Sequence, residues 1–405
     1  MLLTLNRDKI DEQLQRLVPL VLTLSLLVMP LSSTVRGIFV GTLVLLILLL
    51  PSYRQDLLAL LKKPWCQGLF LFFFIVLLTC FWGPASTYQK IAIVKKYTKI
   101  IYLPIFVVGF RVAENRRFAL YAFLTAMVLT CLVSFAKASD MIDYNGPDPG
   151  QVFNNHIITG LMMSFAAYLA LFFAIKERGK MRWMFASLFF MFSFQILFVS
   201  TGRTGYVCYL LLMILLMIQT LSWKKATAAS LLSMLLFVVS YYHSAPMQFV
   251  VKQGIDNFHD YQQGHINNPI GFRLQFRIFA KKLFLQHPWI GNGAGSYTYY
   301  FKKEDPVPAW REMSNDVSFK KMYEPHSQYW LVLDECGLLG LGALLFFFGG
   351  LLRESFRLHE MKPIALAIIL PFSMGCATDS LLFYSASGYF FLLLMAVCLG
   401  EQQNH

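Results

Sequence analysis

The stretch EPHSQ, residues 324–328, leads directly into the apolar run YWLVLDECGLLGLGALLFFFGG, residues 329–350. A helix needs about 20 apolar residues to cross the hydrocarbon core of a bilayer, so this run predicts a membrane-spanning helix. His326 then lies at the membrane surface, beside a long polar segment. Because imidazole exchanges protons near neutral pH, we expect His326 to be a candidate proton acceptor. The alternative is a capping or interfacial histidine, the commoner role for a lone His.

The whole chain has the composition of a membrane protein. Of its 405 residues 57% are hydrophobic and only 14% are charged, and its mean hydropathy is +0.55. These values exclude an ordinary soluble globular protein. The formal net charge is +13, but Lys and Arg fall in short clusters between apolar runs. Such clusters are typical of loops that face anionic lipids, so we expect membrane lipids as partners and no nucleic acid.

Apolar runs bounded by charge, Pro or Gly recur along the chain and predict about twelve transmembrane helices. The predicted fold class is therefore an all-α polytopic membrane protein. The runs cover residues 17–31, 37–50, 68–82, 100–110, 118–135, 157–175, 183–199, 206–221, 226–242, 329–352, 363–377 and 381–399.

The distribution of Lys and Arg among the loops favours both termini on the cytoplasmic side of the membrane. This orientation divides the chain into three parts. Residues 1–243 hold the first nine predicted helices, residues 244–325 form a long outer segment, and residues 326–405 hold the last three helices.

One cluster of cations on the outer side opposes this rule. Lys90, Lys95, Lys96 and Lys99 all precede the fourth apolar run. We expect these four lysines, Lys95 and Lys96 among them, to bind an anionic substrate. The alternative is that Lys99 and its neighbours contact lipid phosphates.

An isolated arginine lies in the motif STGRTG, residues 200–205, between two apolar runs. Arginine inside a membrane costs about 2.5–3.5 kcal/mol unless it is paired with an anion. A phosphate suits the planar guanidinium fork. We therefore expect Arg203 to bind a phosphate, with a lipid headgroup contact in a tight turn as the alternative.

Apolar and basic residues alternate at helical spacing over residues 271–286, which predicts an amphipathic helix on the outer leaflet. Arg273 and Arg277 lie one helical turn apart and share a face, where they would form a pyrophosphate clamp or bind lipid. The residues that follow are suited to an interface or to sugar stacking, and they include Tyr297, Tyr299, Tyr300 and Trp310.

Several signatures of enzymes are absent from the sequence. It contains no P-loop, no dinucleotide-binding fingerprint and no Asp-x-Asp pair for a divalent metal. The remaining histidines lack the spacing of zinc ligands, and no Cys-x-x-Cys pair is present. We expect no metal and no cofactor, so the energy for any reaction must reside in the substrate.

Three motifs occur together in the second half of the chain. They are STGRTG at residues 200–205, Arg273-Leu274 followed by HPWIGNG at residues 287–293, and His326-Ser327 with nine residues before Gly337. Together they resemble the O-antigen ligase and polymerase superfamily of bacterial envelope enzymes. The resemblance covers about residues 195–380 and reaches the first half only through topology.

The resemblance implies a metal-independent, GT-C-type glycosyltransferase of the bacterial inner membrane, with residues 244–325 as a periplasmic loop. It implies an O-antigen ligase that transfers a glycan from undecaprenyl diphosphate to a sugar hydroxyl of lipid A core in lipopolysaccharide biosynthesis, with inversion. His326 would be the catalytic base, Arg203 and Arg273 the pyrophosphate contacts, and Asp379 a functional acidic position. The second position of the His326 motif is often Asn in the family, whereas this chain has Ser327.

Two other functions remain open at this point. An O-antigen polymerase would use the same donor with a second lipid-linked glycan as acceptor. A transporter of lipid-linked glycans would line its pathway with the same cations and use His326 as a proton relay.

Overall fold

The computed structural model describes residues 2–144, 146, 148–307 and 324–404, and in this part of the chain regular structure is entirely helical. The α-helices are α1 (Leu2–Val28), α2 (Ser33–Leu49), α3 (Pro51–Leu60), α4 (Pro64–Thr79), α5 (Thr87–Thr98), α6 (Tyr102–Gly109), α7 (Ala113–Ala138), α8 (His156–Lys176), α9 (Gly179–Phe194), α10 (Arg203–Thr220), α11 (Trp223–His243), α12 (Ala245–Gln262), α13 (Pro269–Phe284), α14 (Ser296–Glu304), α15 (Gln328–Arg357), α16 (Lys362–Gly375) and α17 (Ser385–Leu399). A 3₁₀ turn, Lys99–Ile101, joins α5 to α6, and a π-helical turn, Gln195–Val199, extends α9.

Each of the twelve predicted apolar runs overlaps a helix, which confirms the all-helical, polytopic class. Seven helices among the described residues are long and apolar enough to cross a membrane, and the pair α2 and α3, bent by 97°, makes eight if it counts as one span. The run at residues 100–110 forms only the eight-residue α6 and part of the preceding turn. Eight residues rise about 12 Å, less than half a bilayer core, so twelve crossings stay a prediction.

Helix α15 packs closely along α4 at the centre of the molecule. A Cβ atom at Gly68 would lie 2.8 Å from the backbone nitrogen of Phe347, and one at Gly350 would lie 2.7 Å from the Cα atom of Trp65. Small residues at a helix crossing allow this approach, which is how helices associate in lipid. This close packing holds α15 in a fixed position against α4.

The regular backbone of α15 is interrupted at Gly337, where φ is 65° and ψ is −164°. A loop from the outer segment fills the break. The backbone N–H of Leu338 donates to the carbonyl of Pro288 at 2.8 Å, and Asn292 N–H donates to the carbonyl of Asp334 at 2.7 Å. Helical N–H and C=O groups that would otherwise be unpaired inside the protein are thereby satisfied.

The described part of the outer segment comprises α12, α13, α14 and the turns between them, and Trp310 lies outside the described residues. An amphipathic helix over residues 271–286 was predicted, and α13 occupies that place. The expected lipid-facing position is wrong, however. Phe276 and Phe279 pack on α14 rings, and Leu283 is fully buried. The apolar face of α13 therefore lies against protein, because α14 and α15 cover it.

We predict that Gly337→Ala destabilises the protein by about 3 kcal/mol or more. The positive φ disfavours any Cβ atom, and that atom would lie 2.4 Å from the carbonyl oxygen of Trp289. Gly342→Ala on the same helix is the matched control, since a Cβ atom there meets nothing within 4 Å. It should be neutral or gain up to about 1 kcal/mol of helix propensity. Equal midpoints of thermal unfolding in detergent for both variants would show that the interruption at Gly337 does not require glycine.

Candidate active site

His326 lies immediately before α15 and is 9% exposed. Its φ is 48°, a left-handed conformation that is uncommon for residues other than glycine. The backbone N–H of His326 donates to Glu324 Oε2 at 3.0 Å. Its ring Nδ1 lies 3.1 Å from Glu324 Oε1 and 3.4 Å from Asp379 Oδ1. Two carboxylates therefore face one nitrogen of the imidazole.

Both carboxylates are held by further donors from the turn between α16 and α17. The hydroxyl of Tyr384 donates to Glu324 Oε1 at 2.5 Å, and Ser380 Oγ donates to Glu324 Oε2. The backbone N–H of Ser380 donates to Asp379 Oδ1 at 2.8 Å. These bonds orient the acids toward the ring, so the imidazole has a fixed direction.

The pKa of His326 is raised above its ordinary value of 6.5. Burial alone lowers this pKa, because it penalises the charged ring. The hydrogen bond to Asp379 and the negative charges of Glu324 and Asp379 outweigh burial, while the positive charge of Arg273 opposes them. The site thus stabilises the imidazolium that forms when His326 accepts a proton.

Ser327 and Gln328 anchor the start of α15. The hydroxyl of Ser327 accepts a hydrogen bond from the backbone N–H of Trp330 at 3.5 Å, which makes it the N-cap of the helix. The N–H of Gln328 donates to the carbonyl of Cys376 at 2.8 Å. Ser and Asn are both favoured N-cap residues. The departure from Asn at this motif position therefore preserves a capping role.

Close packing of α8 against α10 brings two further polar residues to the site. A Cβ atom at Gly160 would lie 2.9 Å from the Cα atom of Gly205, so the first turns of the two helices touch. Helix α8 begins at His156 and α10 begins at Arg203. The charges of Arg203, Arg273 and Asp379 all act on His156. His156 was missed from the sequence, where its position at the start of a span was the available signal.

Three arginines converge on this region. The charge of Arg273 acts on His326, on Arg203 and on Arg277. Arg203 Nη2 donates to Gln253 Oε1 at 3.4 Å, and Arg277 Nη2 donates to the carbonyl of Ala377 at 3.1 Å. No carboxylate in the described part of the chain forms an ion pair with any of the three. Like charges held together without a counterion suit an anionic ligand.

The two lysines predicted from the same outer cluster lie on α5 and are exposed. The Lys96 ammonium lies 3.7 Å from the centre of the Phe383 ring, and the charges of Glu324 and Glu335 act on it. No contact among the described residues joins Lys95 to His326.

Asp148, which the sequence did not reveal, is buried. Its carboxylate accepts hydrogen bonds from the backbone N–H groups of Gly150 and Thr201 at 2.8 Å and 3.2 Å.

Among the described residues, one cluster of side chains could hold a metal ion. Ligand atoms of Glu324, His326 and Asp379 lie within 4.8 Å of one another. However, both oxygens of Glu324 and Oδ1 of Asp379 already accept hydrogen bonds from protein donors. Donors on these oxygens compete with a cation for the same lone pairs. The residues therefore fit a hydrogen-bonded acid and histidine cluster better than a metal centre.

The fold and the site define a multi-pass membrane protein with a polar, histidine-centred site at the ends of its helices. Residues 188–347 match the family model described as O-antigen ligase. This match covers 160 of the 405 residues and supports a member of the O-antigen ligase and polymerase family. The matched region includes Arg203, Arg273 and His326, whereas Asp379 lies beyond it. A comparison with curated proteins found no match.

We predict that Ser327→Ala lowers the free energy of unfolding by about 1 kcal/mol, because the N-cap of α15 is lost. Ser327→Asn should retain the stability of the wild type, since Asn accepts the same backbone hydrogen bond. Thermal unfolding in detergent measures both. An Asn variant as unstable as the Ala variant would show that the Ser327 hydroxyl does something other than cap the helix.

Proposed function

We propose that the protein is an O-antigen ligase, which transfers a glycan from undecaprenyl diphosphate to a sugar hydroxyl of lipid A core. The family supports ligase or polymerase activity in general. The observation that carries the proposal is a histidine backed by two carboxylates beside three arginines without carboxylate partners among the described residues. A base would accept the proton of the attacking hydroxyl, and a neighbouring anion site would bind the diphosphate that leaves.

In this proposal His326 is the general base. Its Nδ1–H donates to the carboxylates, so the lone pair of Nε2 takes the proton from the acceptor hydroxyl. The acceptor oxygen then bonds to the anomeric carbon as the bond from that carbon to the diphosphate oxygen breaks. A single displacement inverts the configuration at the carbon. The positive charge on the ring is stabilised by Glu324 and Asp379.

The arginines stabilise the other side of the reaction. Negative charge grows on the diphosphate as it leaves, and Arg203 and Arg273 offset it, with Arg277 completing the cationic surface. Electrostatic interactions are stronger where water is partly excluded, and Arg203 and Arg273 are half-buried. The glycosyl diphosphate supplies the energy, so the proposed reaction uses no nucleotide, no cofactor and no metal.

The position of the site supports a reaction at one face of the membrane. His156 and Arg203 begin spans, and His326 precedes one, so all three lie where helices start at one end of the bundle. With the termini in the cytoplasm this end is periplasmic, in the bacterial inner membrane. Both lipid-linked substrates would reach it from the bilayer. A transporter would place its charges near the middle of its spans, which makes that function less favoured.

The first experiment offers purified protein the undecaprenyl diphosphate glycan and lipid A core, separately and together, with EDTA and without nucleotide. Product that forms only when the lipid A core is present supports the ligase. A lengthened lipid-linked glycan that forms without the core supports the polymerase.

His326→Ala should lower the transfer rate by about 10²–10⁴-fold with folding intact. The control His243→Ala removes an exposed histidine and should leave the rate unchanged. Near wild-type transfer by the His326 variant would remove it from the role of base.

Transfer should depend on pH through His326. Only the neutral ring accepts a proton, so the rate rises as pH increases through its pKa, which Glu324 and Asp379 hold above 6.5 against burial and Arg273. Glu324→Gln removes one negative charge, lowers this pKa and should move the midpoint of the pH profile to lower pH. Glu114→Gln, at the start of α7, is the control with an unchanged profile. A midpoint that rises in the Glu324 variant would contradict the assignment.

A further inference from the structure

Lys99 is a buried lysine that the mechanism above does not use. It is 4% exposed and lies in the 3₁₀ turn between α5 and α6. Its Nζ donates to the backbone carbonyl of Phe383 at 2.9 Å and to that of Tyr384 at 3.0 Å. The charged groups that act on it are Lys96 and Arg36, both cations. Burial, together with these two cations, lowers the pKa of Lys99 to about 7. The amine donates in either protonation state, so the two carbonyl contacts tie α5 and α6 to residues 383–384.

The opposite helix makes room for this lysine. A Cβ atom at Gly388 on α17 would lie 2.3 Å from Lys99 Cε. The N–H of Gly388 also donates to the carbonyl of Tyr384 at 3.0 Å. The first turn of α17 is therefore shaped around the lysine stem. The ammonium of Lys99 reaches the segment 383–384 only because residue 388 has no side chain.

The segment that Lys99 holds carries the side chain that orients Glu324. The Tyr384 hydroxyl donates to Glu324 Oε1 at 2.5 Å, and that carboxylate faces His326 Nδ1 at 3.1 Å. Burial, together with the charge of Glu324, raises the pKa of Tyr384, so its hydroxyl keeps the proton that it donates. A continuous path of contacts thus runs from Lys99 through the backbone of residues 383–384 to the catalytic histidine.

We propose that Lys99 is a positioning residue for glycosyl transfer, which clamps the backbone at Phe383 and Tyr384 so that the Tyr384 hydroxyl fixes Glu324 against His326. The proposal rests on the proposed function of His326 as the base. Lys99 does not touch the substrate in this role. It acts on the rate of the chemical step and not on the binding of the donor.

A double-mutant cycle tests the path. Lys99→Met keeps the length of the side chain without its charge, and Tyr384→Phe removes only the hydroxyl. Each should lower kcat about tenfold with KM for the donor unchanged, since each removes hydrogen bonding that serves Glu324. The double variant should also fall about tenfold, because both changes break the same path. Lys225→Met, an exposed lysine on α11, is the control and should leave kcat unchanged.

Independent effects that multiply to about a hundredfold, or a change in KM alone, would overturn the proposal. Lys99→Gln retains a donor and replaces the Met variant if that protein does not fold. The same cycle measured by thermal unfolding needs no activity. If the wild type transfers no glycan, the proposed function fails, whereas additive shifts in Tm contradict the path from Lys99 to Tyr384 even in an inactive protein.

Discussion

The site depends on the interruption of α15 at Gly337. An unbroken helix would satisfy its own backbone groups and would offer nothing to the outer segment. With the break, Leu338 donates to Pro288, and Asp334 and Glu335 accept from Asn292 and Gly293 through their backbone carbonyls. The Asp334 carboxylate also accepts from Asn292 Nδ2 at 2.9 Å. These hydrogen bonds hold the outer segment against α15.

Three separate parts of the chain meet around His326 as a result. The docked loop follows α13 directly, so docking it brings Arg273 and Phe276 to the start of α15, where the Phe276 ring stacks on His326 with centres 5.9 Å apart. The turn between α16 and α17 supplies Asp379 and Tyr384. The starts of α8 and α10 supply His156 and Arg203. The first part contributes a cation and an aromatic ring, the second an acid and a phenol hydroxyl, and the third a histidine and a second cation.

The sequence predicted those features that follow from local composition. Apolar runs predicted the helices, because a bilayer requires them, and His326 and Arg203 stood out as polar residues at the ends of such runs. Arg273 stood out on the basic face of an amphipathic segment. Contacts between distant segments were not accessible in this way. Nothing near Tyr384 indicates that its hydroxyl meets Glu324, 60 residues earlier. The apolar face of α13 was assigned to lipid because periodicity shows only that a face is apolar, not which apolar medium covers it.

This arrangement gives a physical reason for the nine-residue spacing between His326-Ser327 and Gly337. Nine residues separate Ser327 from Gly337, and at 1.5 Å per residue they form a rigid rod of about 15 Å between the N-cap and the break. His326 lies at one end of this rod, and the loop that follows α13 is bound at the other end. A change of one residue in this spacing would rotate one end relative to the other by about 100°, given 3.6 residues per turn. The histidine and the arginines would then no longer face the same space, even though every functional side chain would still be present.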